Sequence, residues 1–170
     1  MKDFSYIIRE IKPEDNLQIC NVIRDVFVEL KLPLVGTAYQ DNETESMYQS
    51  YQNSREKYFV IESNGIIFGG GGIKPLENGD DNVCELQKMY FLKSIRGKGI
   101  GNEILLKCLN FAAESDFKIC YLETITKLKS AIILYEKFGF KKIEGPLGNT
   151  CHFSCDIHMI KNLAAATILS

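Results

Sequence analysis

The sequence has no excess of positive charge, no long apolar run and too few cysteines for a disulfide scaffold. Its 170 residues carry 20 Lys and Arg against 22 Asp and Glu, which leaves a net charge of −2. General nucleic-acid binding is not expected, because it requires a basic face. A membrane partner is not expected either, because no apolar run reaches the ~18 residues that a membrane span requires. The N-terminal residues also lack the apolar segment of a secretion signal.

The chain contains 6 cysteines, and their placement indicates free thiols rather than a disulfide framework. Four lie within apolar patterns, namely Cys20, Cys84, Cys108 and Cys120. Free cysteine in such a place behaves as a small hydrophobe, and a reducing cytoplasm is the simplest compartment for it. The length suits one core, so we expect a single domain over residues 1–163 and a tail without a partner pattern over residues 164–170.

Hydrophobic periodicity predicts a mixed α/β protein. The predicted order is strand, two helices, three strands, helix, strand, helix and two strands. Polar start signals at Asn42 and Thr44 predict that the second helix runs through about Tyr51. The Asn64-Gly65 pair predicts a hairpin. The last strand is predicted over residues 153–160.

A run of four glycines, residues 69–72, lies inside a predicted strand. Glycine weakens a strand, so this run indicates a place where a bare backbone is needed. One interpretation is the close approach of a ligand or a helix, and the other is a bulge or a bend. The sequence leaves both open.

Residues 84–101 read as a strand followed by a glycine-rich loop and the start of a helix. Gly97, Gly99 and Gly101 let the backbone approach an anion, and the first N–H groups of the helix point towards it. The spacing matches neither the dinucleotide fingerprint nor the P-loop. On spacing alone, a phosphate site and a tight turn are equally good interpretations.

A second motif, Ala-Ile-Ile-Leu-Tyr-Glu-Lys-Phe-Gly-Phe, follows at residues 131–140. Together with a strand glutamate, Glu85, and the Arg-Gly-x-Gly-x-Gly loop, it closely resembles the GCN5-related N-acetyltransferase (GNAT) superfamily. The resemblance implies an acyl-CoA N-acyltransferase fold, with a mostly antiparallel central sheet flanked by helices. It also implies acetyl-CoA as the cofactor and coenzyme A as a product.

The resemblance further implies which residues hold the cofactor. The loop would bind the pyrophosphate, and the pantetheine arm would lie along the strand before it, as an added strand does. The expected cofactor-binding residues are Met89, Tyr90, Phe91, Arg96, Gly97, Lys98, Gly99, Ile100 and Gly101. Leu128 stands where the family often has an asparagine, so any polar contact from that position must be absent or supplied elsewhere.

Two residues match positions that carry out chemistry in the family. Tyr135 matches the tyrosine that protonates the departing sulfur, although a packing role on an apolar helix face is the alternative. Glu85 matches a strand glutamate that some members use as the general base, although a solvated glutamate near a sheet edge is equally compatible with the pattern.

The acceptor site is less defined. The resemblance implies that the region between the first two predicted helices lines it, which makes Thr37, Tyr39 and Gln40 candidates; a solvated connection is the alternative. His152 is a lesser candidate for acceptor binding or for the base. It also belongs to a cluster with Cys151, Cys155 and His158, but alternate residues of a strand point to opposite faces, so we predict no metal site there.

The sequence therefore predicts an N-acetyltransferase that moves the acetyl group of acetyl-CoA to a primary amine of a small molecule or peptide. Direct transfer in a ternary complex is expected, because no cysteine falls on a family nucleophile position. One alternative is a coenzyme-A-binding regulatory or sensor domain without turnover. Another is a transferase of a longer acyl group, for which the glycine run could leave room. The sequence leaves open whether the protein forms a homodimer.

Overall fold

The computed structural model describes residues 4–163, which form one seven-stranded sheet and three α-helices. The strands are β1 (Ile7–Glu10), β2 (Lys57–Ser63), β3 (Ile66–Pro75), β4 (Val83–Phe91), β5 (Ile119–Thr124), β6 (Lys141–Ile143) and β7 (Ile157–Asn162). The helices are α1 (Asn16–Glu29), α2 (Ile100–Glu114) and α3 (Lys129–Lys137). Short 3-10 helices occupy the connections Pro13–Asp15, Asn42–Glu45, Gln49–Tyr51 and Lys93–Ile95.

Hydrogen-bonded strands follow the order β1-β2-β3-β4-β5-β7-β6. Within residues 4–163, β4 and β5 are the one parallel pair, and every other neighbouring pair is antiparallel. The predicted hairpin joins β2 to β3, with positive φ angles of 51° at Asn64 and 77° at Gly65. The expected mixed α/β class with a mostly antiparallel sheet is confirmed.

The parallel pair separates part-way along its length. Pairing joins residues 83–85 of β4 to residues 119–121 of β5 and then stops, although both strands continue. The rest of β4 is paired on its other side, to β3. Its backbone N–H and C=O groups on the β5 side therefore face a gap, since the described strands provide no partner there.

A β-bulge lies in β4 beside this gap. Gly70 pairs with Tyr90 and Gly72 pairs with Gln87, so two residues of β4, Lys88 and Met89, face one residue of β3. Lys88 has a φ of 49°, a left-handed conformation that is uncommon for a residue with a side chain. Bulges of this kind bend a strand and redirect its groups, and they are frequent next to active sites.

Both faces of the sheet are covered, because β2 and β3 alternate their side chains between two cores. Phe59 and Ile61 pack in the same apolar cluster as α2 and α3 residues. Their neighbours Tyr58 and Val60 belong to a second cluster with α1. The helices therefore hold the sheet from opposite sides and fix the position of the gap between β4 and β5.

The glycine run serves close packing and lies opposite the bulge. A Cβ at Gly70 or Gly72 would lie 2.5–2.6 Å from the Tyr58 ring, and one at Gly69 would lie 2.5 Å from Phe91. Helix α2 approaches Gly71, where a Cβ would be 3.3 Å from Ile104. Both structural interpretations therefore hold, the bulge and the approach of a helix. Side chains occupy the space over the glycines.

The predicted second α-helix is wrong. The segment instead forms two separate 3-10 turns, Asn42–Glu45 and Gln49–Tyr51. Ser46 leaves the helical region with φ −133° and ψ 47°, and the buried Thr44 hydroxyl donates a 2.7 Å hydrogen bond to the Ala38 carbonyl. Tertiary contacts therefore fix this segment more strongly than its helix-start signals do.

The predicted start of the last strand is also wrong. β7 begins at Ile157, and residues 151–156 form a loop. The loop is held because the Asp156 carboxylate accepts hydrogen bonds from the Thr126 N–H (2.7 Å) and hydroxyl (2.8 Å). The face-alternation argument against a metal site at residues 151–158 therefore loses its basis.

None of the helices described here has the length and apolar character needed to cross a bilayer. The tail expected at residues 164–170 lies outside the described residues.

Candidate active site

The glycine-rich loop leads from β4 into α2 with its backbone held in unusual conformations. Gly97 and Gly99 have φ angles of 75° and 85°, and Gly99 is the N-cap of α2. Within residues 4–163, the N–H groups of residues 97–101 have no hydrogen-bond acceptor. Free N–H groups at a helix N-terminus attract anions, so this loop is a candidate phosphate cradle.

The cationic side chains of the loop are used elsewhere. Arg96 Nε donates a 2.7 Å hydrogen bond to the Phe91 carbonyl, and its terminal nitrogens contact the Glu29 carboxylate at 2.6 and 3.1 Å. Lys98 Nζ lies 5.2 Å from the centre of the Phe4 ring. Arg96 therefore links the loop to α1 and β4, and the unpaired backbone N–H groups of the described loop form the candidate cradle.

The gap between β4 and β5 forms a cavity. Its walls come from residues 85–90 of β4, residues 123–125 beyond the paired part of β5, and Leu128, Ala131 and Tyr135 around α3. The remaining lining residues are Phe27, Thr37, Ala38, His152 and Cys155. An extended chain in the gap could hydrogen-bond to β4 as an added strand would.

Tyr135 points from α3 towards this cavity, although it also packs in the core. Its side chain is buried, and its ring contacts Phe140 edge to face with centroids 5.8 Å apart. Burial raises the pKa of the Tyr135 hydroxyl well above its usual value of 10. The hydroxyl therefore stays protonated at neutral pH and is available as a proton donor.

Glu85 lies on the central strand β4 and is only 2% exposed, which excludes a solvated glutamate at a sheet edge. Gln87 Nε2 donates a 2.5 Å hydrogen bond to Glu85 Oε2. Burial raises the pKa of Glu85 to about 7, and the hydrogen bond from Gln87 only partly opposes this shift. A carboxylate with this pKa exchanges a proton easily at neutral pH.

His152 lies between two further carboxylates. Its Nε2 is 3.0 Å from Asp41 Oδ2, and its Nδ1 is 3.6 Å from Glu123 Oε2. Burial alone would lower the pKa of His152, but its hydrogen bond to Asp41 and the nearby Glu123 carboxylate outweigh burial and raise the pKa to about 10. The two carboxylates therefore favour the protonated, cationic form of His152.

Lys88, the residue at the bulge, extends this network. Its buried Nζ lies 3.0 Å from Asp41 Oδ2 and 3.4 Å from Glu43 Oε2. The Tyr58 hydroxyl donates a 2.7 Å hydrogen bond to the Lys88 carbonyl. The bulge is thus tied to β2 below it and to the loop that carries Asp41.

Comparison with known proteins identifies the family of this chain. The sequence model of the acetyltransferase (GNAT) family matches residues 23–140. The chain belongs to this family. An uncharacterised N-acetyltransferase of Escherichia coli, YjgM, is 42% identical over 160 residues, which cover 94% of this chain and 96% of that protein. A shorter match, 32% identical over 98 residues, is to a probable N-acetyltransferase, family 8 member 5, of Mus musculus and covers 42% of that protein.

Solved structures show the same fold. A GNAT-family acetyltransferase of Staphylococcus aureus Mu50 superposes with a TM-score of 0.84 at 24% identity, covering 94% of this chain and 100% of that one. YncA of Salmonella typhimurium, described as a putative acetyltransferase solved with its cofactor acetyl-CoA, superposes with a TM-score of 0.75 at 16% identity, covering 94% and 95%. The protein is thus an acyltransferase of the GNAT family.

The residues expected to bind the cofactor lie in different surroundings. Met89 and Tyr90 line the gap, whereas Phe91 packs over Gly69 and near Gly101. Ile100 is buried in the core, so only its N–H can serve the cradle. Leu128 lines the gap with an apolar side chain, and no polar group replaces the family asparagine at that position.

Of the expected acceptor-side residues, Thr37 and His152 line the gap. Thr37 is also structural, because its hydroxyl donates to the Leu34 carbonyl at 3.0 Å. Tyr39 packs against Phe27 with ring centroids 6.0 Å apart, and Gln40 is exposed; neither lines a described cavity.

Sequence reasoning missed Lys88 and Glu123, and it did not single out Asp41 within the loop that it assigned to the acceptor side. Of these residues, Glu123 was the easiest to predict from the sequence. It ends a short buried strand, and the ends of adjacent parallel strands lie at the same edge of a sheet. The Tyr121 hydroxyl at 2.6 Å and the Thr150 hydroxyl at 2.7 Å donate to its carboxylate. No pattern in the sequence indicates that Lys88 is buried.

Of the C-terminal cluster, Cys155 lines the gap together with His152, whereas Cys151 and His158 lie elsewhere. Cys151 is exposed, and the His158 ring stacks on Tyr121. Glu85, Glu123 and His152 do bring one potential ligand atom each within 4.8 Å of one another. Both nitrogens of His152 face carboxylates, so this group forms an ion-pair network rather than a set of free ligands.

The first prediction concerns the cradle. Acetyl-CoA should raise the Tm of the wild-type protein, since a ligand that binds only the folded state stabilises it. Gly99→Asp should abolish this rise, because it adds a negative charge where the phosphates would lie. Differential scanning fluorimetry measures the shift.

Gly65→Asp is the matched control for Gly99→Asp. Both glycines have positive φ angles, 77° and 85°, and neither has a neighbouring atom within 4 Å of an added Cβ. The cost to the backbone is therefore comparable. A ligand-induced Tm rise in Gly99→Asp as large as in Gly65→Asp would show that the phosphates bind elsewhere.

Proposed function

We propose that this acetyltransferase moves the acetyl group of acetyl-CoA to a primary amine of a small molecule or peptide. One observation carries the proposal: Glu85 and Tyr135 line the same cavity, which runs beside the unpaired part of β4. A proton acceptor and a proton donor thus meet where an extended cofactor arm could lie. The amine must lose a proton before attack, and the departing thiolate must gain one.

We propose that the free N–H groups of residues 97–101 bind the pyrophosphate of the cofactor, helped by the dipole of α2. The pantetheine arm would lie along Met89, Tyr90 and Phe91 and use the backbone groups that β5 leaves unpaired. The bulge at Lys88 redirects the local N–H groups, so one of them could stabilise the thioester oxygen during attack. That the related fold of YncA is described with acetyl-CoA supports this cofactor.

In the proposed reaction the amine nitrogen attacks the thioester carbon, and Glu85 takes up the proton that the nitrogen loses. The carbon–sulfur bond of the resulting tetrahedral intermediate then breaks. Tyr135 donates its proton to the departing sulfur, so amide and free thiol are formed. We assign the base to Glu85 rather than to His152, because the carboxylates of Asp41 and Glu123 favour the protonated imidazole. Its charge instead stabilises the ionised carboxylates around it.

Direct transfer is favoured over a covalent relay by the state of the cysteine in the cavity. Cys155 lines the gap, but burial and then the nearby Glu123 carboxylate raise the pKa of its thiol to about 12. A thiol nucleophile must ionise to attack, so Cys155 is poorly suited to carry the acetyl group at neutral pH. Among the other cysteines, Cys84, Cys108 and Cys120 are buried in the core.

The alternatives have less support. A sensor domain without turnover has no need for a donor and an acceptor of protons in one cavity. A longer acyl chain has no space over the glycine run, because Tyr58, Tyr51 and Phe91 fill it. We further propose that residues 1–163 act as one catalytic domain in a reducing cytoplasm, which suits the free cysteines of the described chain.

A thiol-release assay with acetyl-CoA and a panel of primary amines tests the transfer. We expect amine-dependent release of coenzyme A, with the acetylated amine identified by mass spectrometry. Binding of acetyl-CoA without release for any amine would instead support the sensor alternative. Competition among acyl-CoA chain lengths in the same assay separates acetyl transfer from transfer of a longer group.

Tyr135→Phe tests the proton donor. The substitution keeps the ring that packs against Phe140 and removes the hydroxyl. We expect kcat to fall by about 10²–10⁴-fold, the size typical of general acids, with little change in the affinity for acetyl-CoA. Tyr48→Phe, on a half-buried ring that lines neither described cavity, is the control. Equal kcat values for the two variants would show that Tyr135 packs in the core and does not donate the proton.

Glu85→Gln tests the proton acceptor through its pH dependence. In the wild type, kcat/KM should rise as Glu85 loses its proton around its pKa of about 7. An amine with a pKa near ~10 is only about a thousandth unprotonated at pH 7. The variant should therefore be much slower at pH 7 and should recover near pH 9, where free amine is more abundant.

The exposed Glu114 provides the control variant Glu114→Gln, which should keep the wild-type profile. If Glu85→Gln also kept that profile at both pH values, Glu85 would not be the base.

A further inference from the structure

A second cavity is also lined by Glu85 and His152. These two residues line it as well as the gap between β4 and β5, so the two cavities meet at the proposed base. The second cavity is also lined by Asp41, Glu43, Glu56, Lys74, Glu77 and Gln87. If the cofactor lies in the gap, the amine reaches Glu85 through this second cavity. The inference below therefore rests on the proposed function.

The cations on the walls of this cavity are all paired. Lys74 Nζ lies 2.6 Å from Glu43 Oε1, and His152 Nε2 lies 3.0 Å from Asp41 Oδ2. Lys88, beneath the same wall, contacts both of these carboxylates. Within residues 4–163, the cavity thus offers no free cation to an incoming carboxylate.

Several carboxylates of the cavity have no cationic partner. Among the described residues, Glu56 and Glu77 form no ion pair, and the Glu56 carboxylate accepts only the Asn53 N–H at 3.3 Å. The buried Glu85 uses Oε2 to accept from Gln87, and no described residue donates to its Oε1. Among the described residues, carboxylates without an ion-pair partner therefore lie at the rim of the cavity and, with Glu85, at its inner end.

We propose that the acceptor is a small amine that carries a second cationic group and no carboxylate, such as an aliphatic diamine. One amino group would reach Glu85 and be acetylated. The other would stay protonated at the rim, between the carboxylates of Glu56 and Glu77. Concave sites lined by charge of one sign focus the field and concentrate ligands of the opposite sign. An acceptor with a carboxylate would meet only paired cations and would be repelled.

Three acceptors of equal chain length test this inference: 1,4-diaminobutane, n-butylamine and 4-aminobutanoate. They differ only in a terminal group that is cationic, neutral or anionic. We expect kcat/KM to fall in that order, with a step of about tenfold between the diamine and butylamine, as for one favourable charge contact of ~1.4 kcal/mol. The step should reside mainly in KM and should shrink with added salt, since ions screen exposed charges.

The double variant Glu56→Gln, Glu77→Gln locates the effect. It removes both rim charges while leaving side-chain size unchanged, and the ratio of diamine to butylamine kcat/KM should fall to near one. Glu114→Gln, which removes a carboxylate outside the cavity, should leave the ratio at about tenfold. The two single variants give the same readout if the double variant proves unstable in a thermal melt.

The outcomes are separable. Equal kcat/KM values for the three acceptors, or a preference for 4-aminobutanoate, would overturn the inference and leave the proposed acetyl transfer in place. A diamine preference that survives in the rim variants would overturn the assignment to Glu56 and Glu77. If no amine of the panel released coenzyme A while acetyl-CoA still raised the Tm, the proposed function would fail, and the inference with it.

Discussion

The separation of β4 from β5 is the constraint on which the site depends. Their pairing ends after Glu85 and Tyr121, and the bulge at Lys88 bends β4 beside the opening. The bulge lies opposite Gly71. It is held by the hydrogen bond that the Tyr58 hydroxyl donates to the Lys88 carbonyl and by the ion pair between the Lys88 ammonium and the Asp41 carboxylate. Core packing and buried charge thus hold open a gap that simple strand pairing would close. Glu85 lies at the point where this gap begins.

Because of the buried titratable groups around the gap, the stability of the folded protein falls at both high and low pH. Folding raises the pKa of Glu85 from 4.5 to about 7 and that of His152 from 6.5 to about 10. The folded state therefore binds these protons more tightly, so their contribution is complete below the unfolded pKa values and is lost as pH rises through the folded ones. Burial alone would raise the pKa values of Asp41 and Glu123. Contacts with His152 and Lys88 outweigh burial at Asp41, and contacts with His152, Tyr121 and Thr150 outweigh it at Glu123, so both pKa values are lowered and their contribution is lost in acid. The network is consequently most favourable at intermediate pH.

The sequence predicts the parts of this site that are local and leaves out those that depend on long-range contacts. The glycine loop, the Asn64-Gly65 hairpin and the helix with Tyr135 follow from short motifs. The ion pairs of His152 with Asp41 and of Lys88 with Asp41 join residues far apart in the chain, and no local pattern encodes them. The same limit explains why the prediction of a second α-helix is wrong: the burial of Thr44 and its hydrogen bond to the Ala38 carbonyl override the helix-start signals. That Arg96 binds phosphate stays a prediction; in the structure its guanidinium contacts the Glu29 carboxylate of α1.

A crystal structure of the protein with coenzyme A tests the central claim most directly. The account predicts that the pyrophosphate accepts hydrogen bonds from the N–H groups of residues 97–101. It also predicts that the pantetheine amides pair with β4 beyond Glu85, and that the sulfur lies within hydrogen-bond reach of the Tyr135 hydroxyl. A pantetheine arm outside the gap between β4 and β5, or a sulfur remote from both Tyr135 and Glu85, would contradict it.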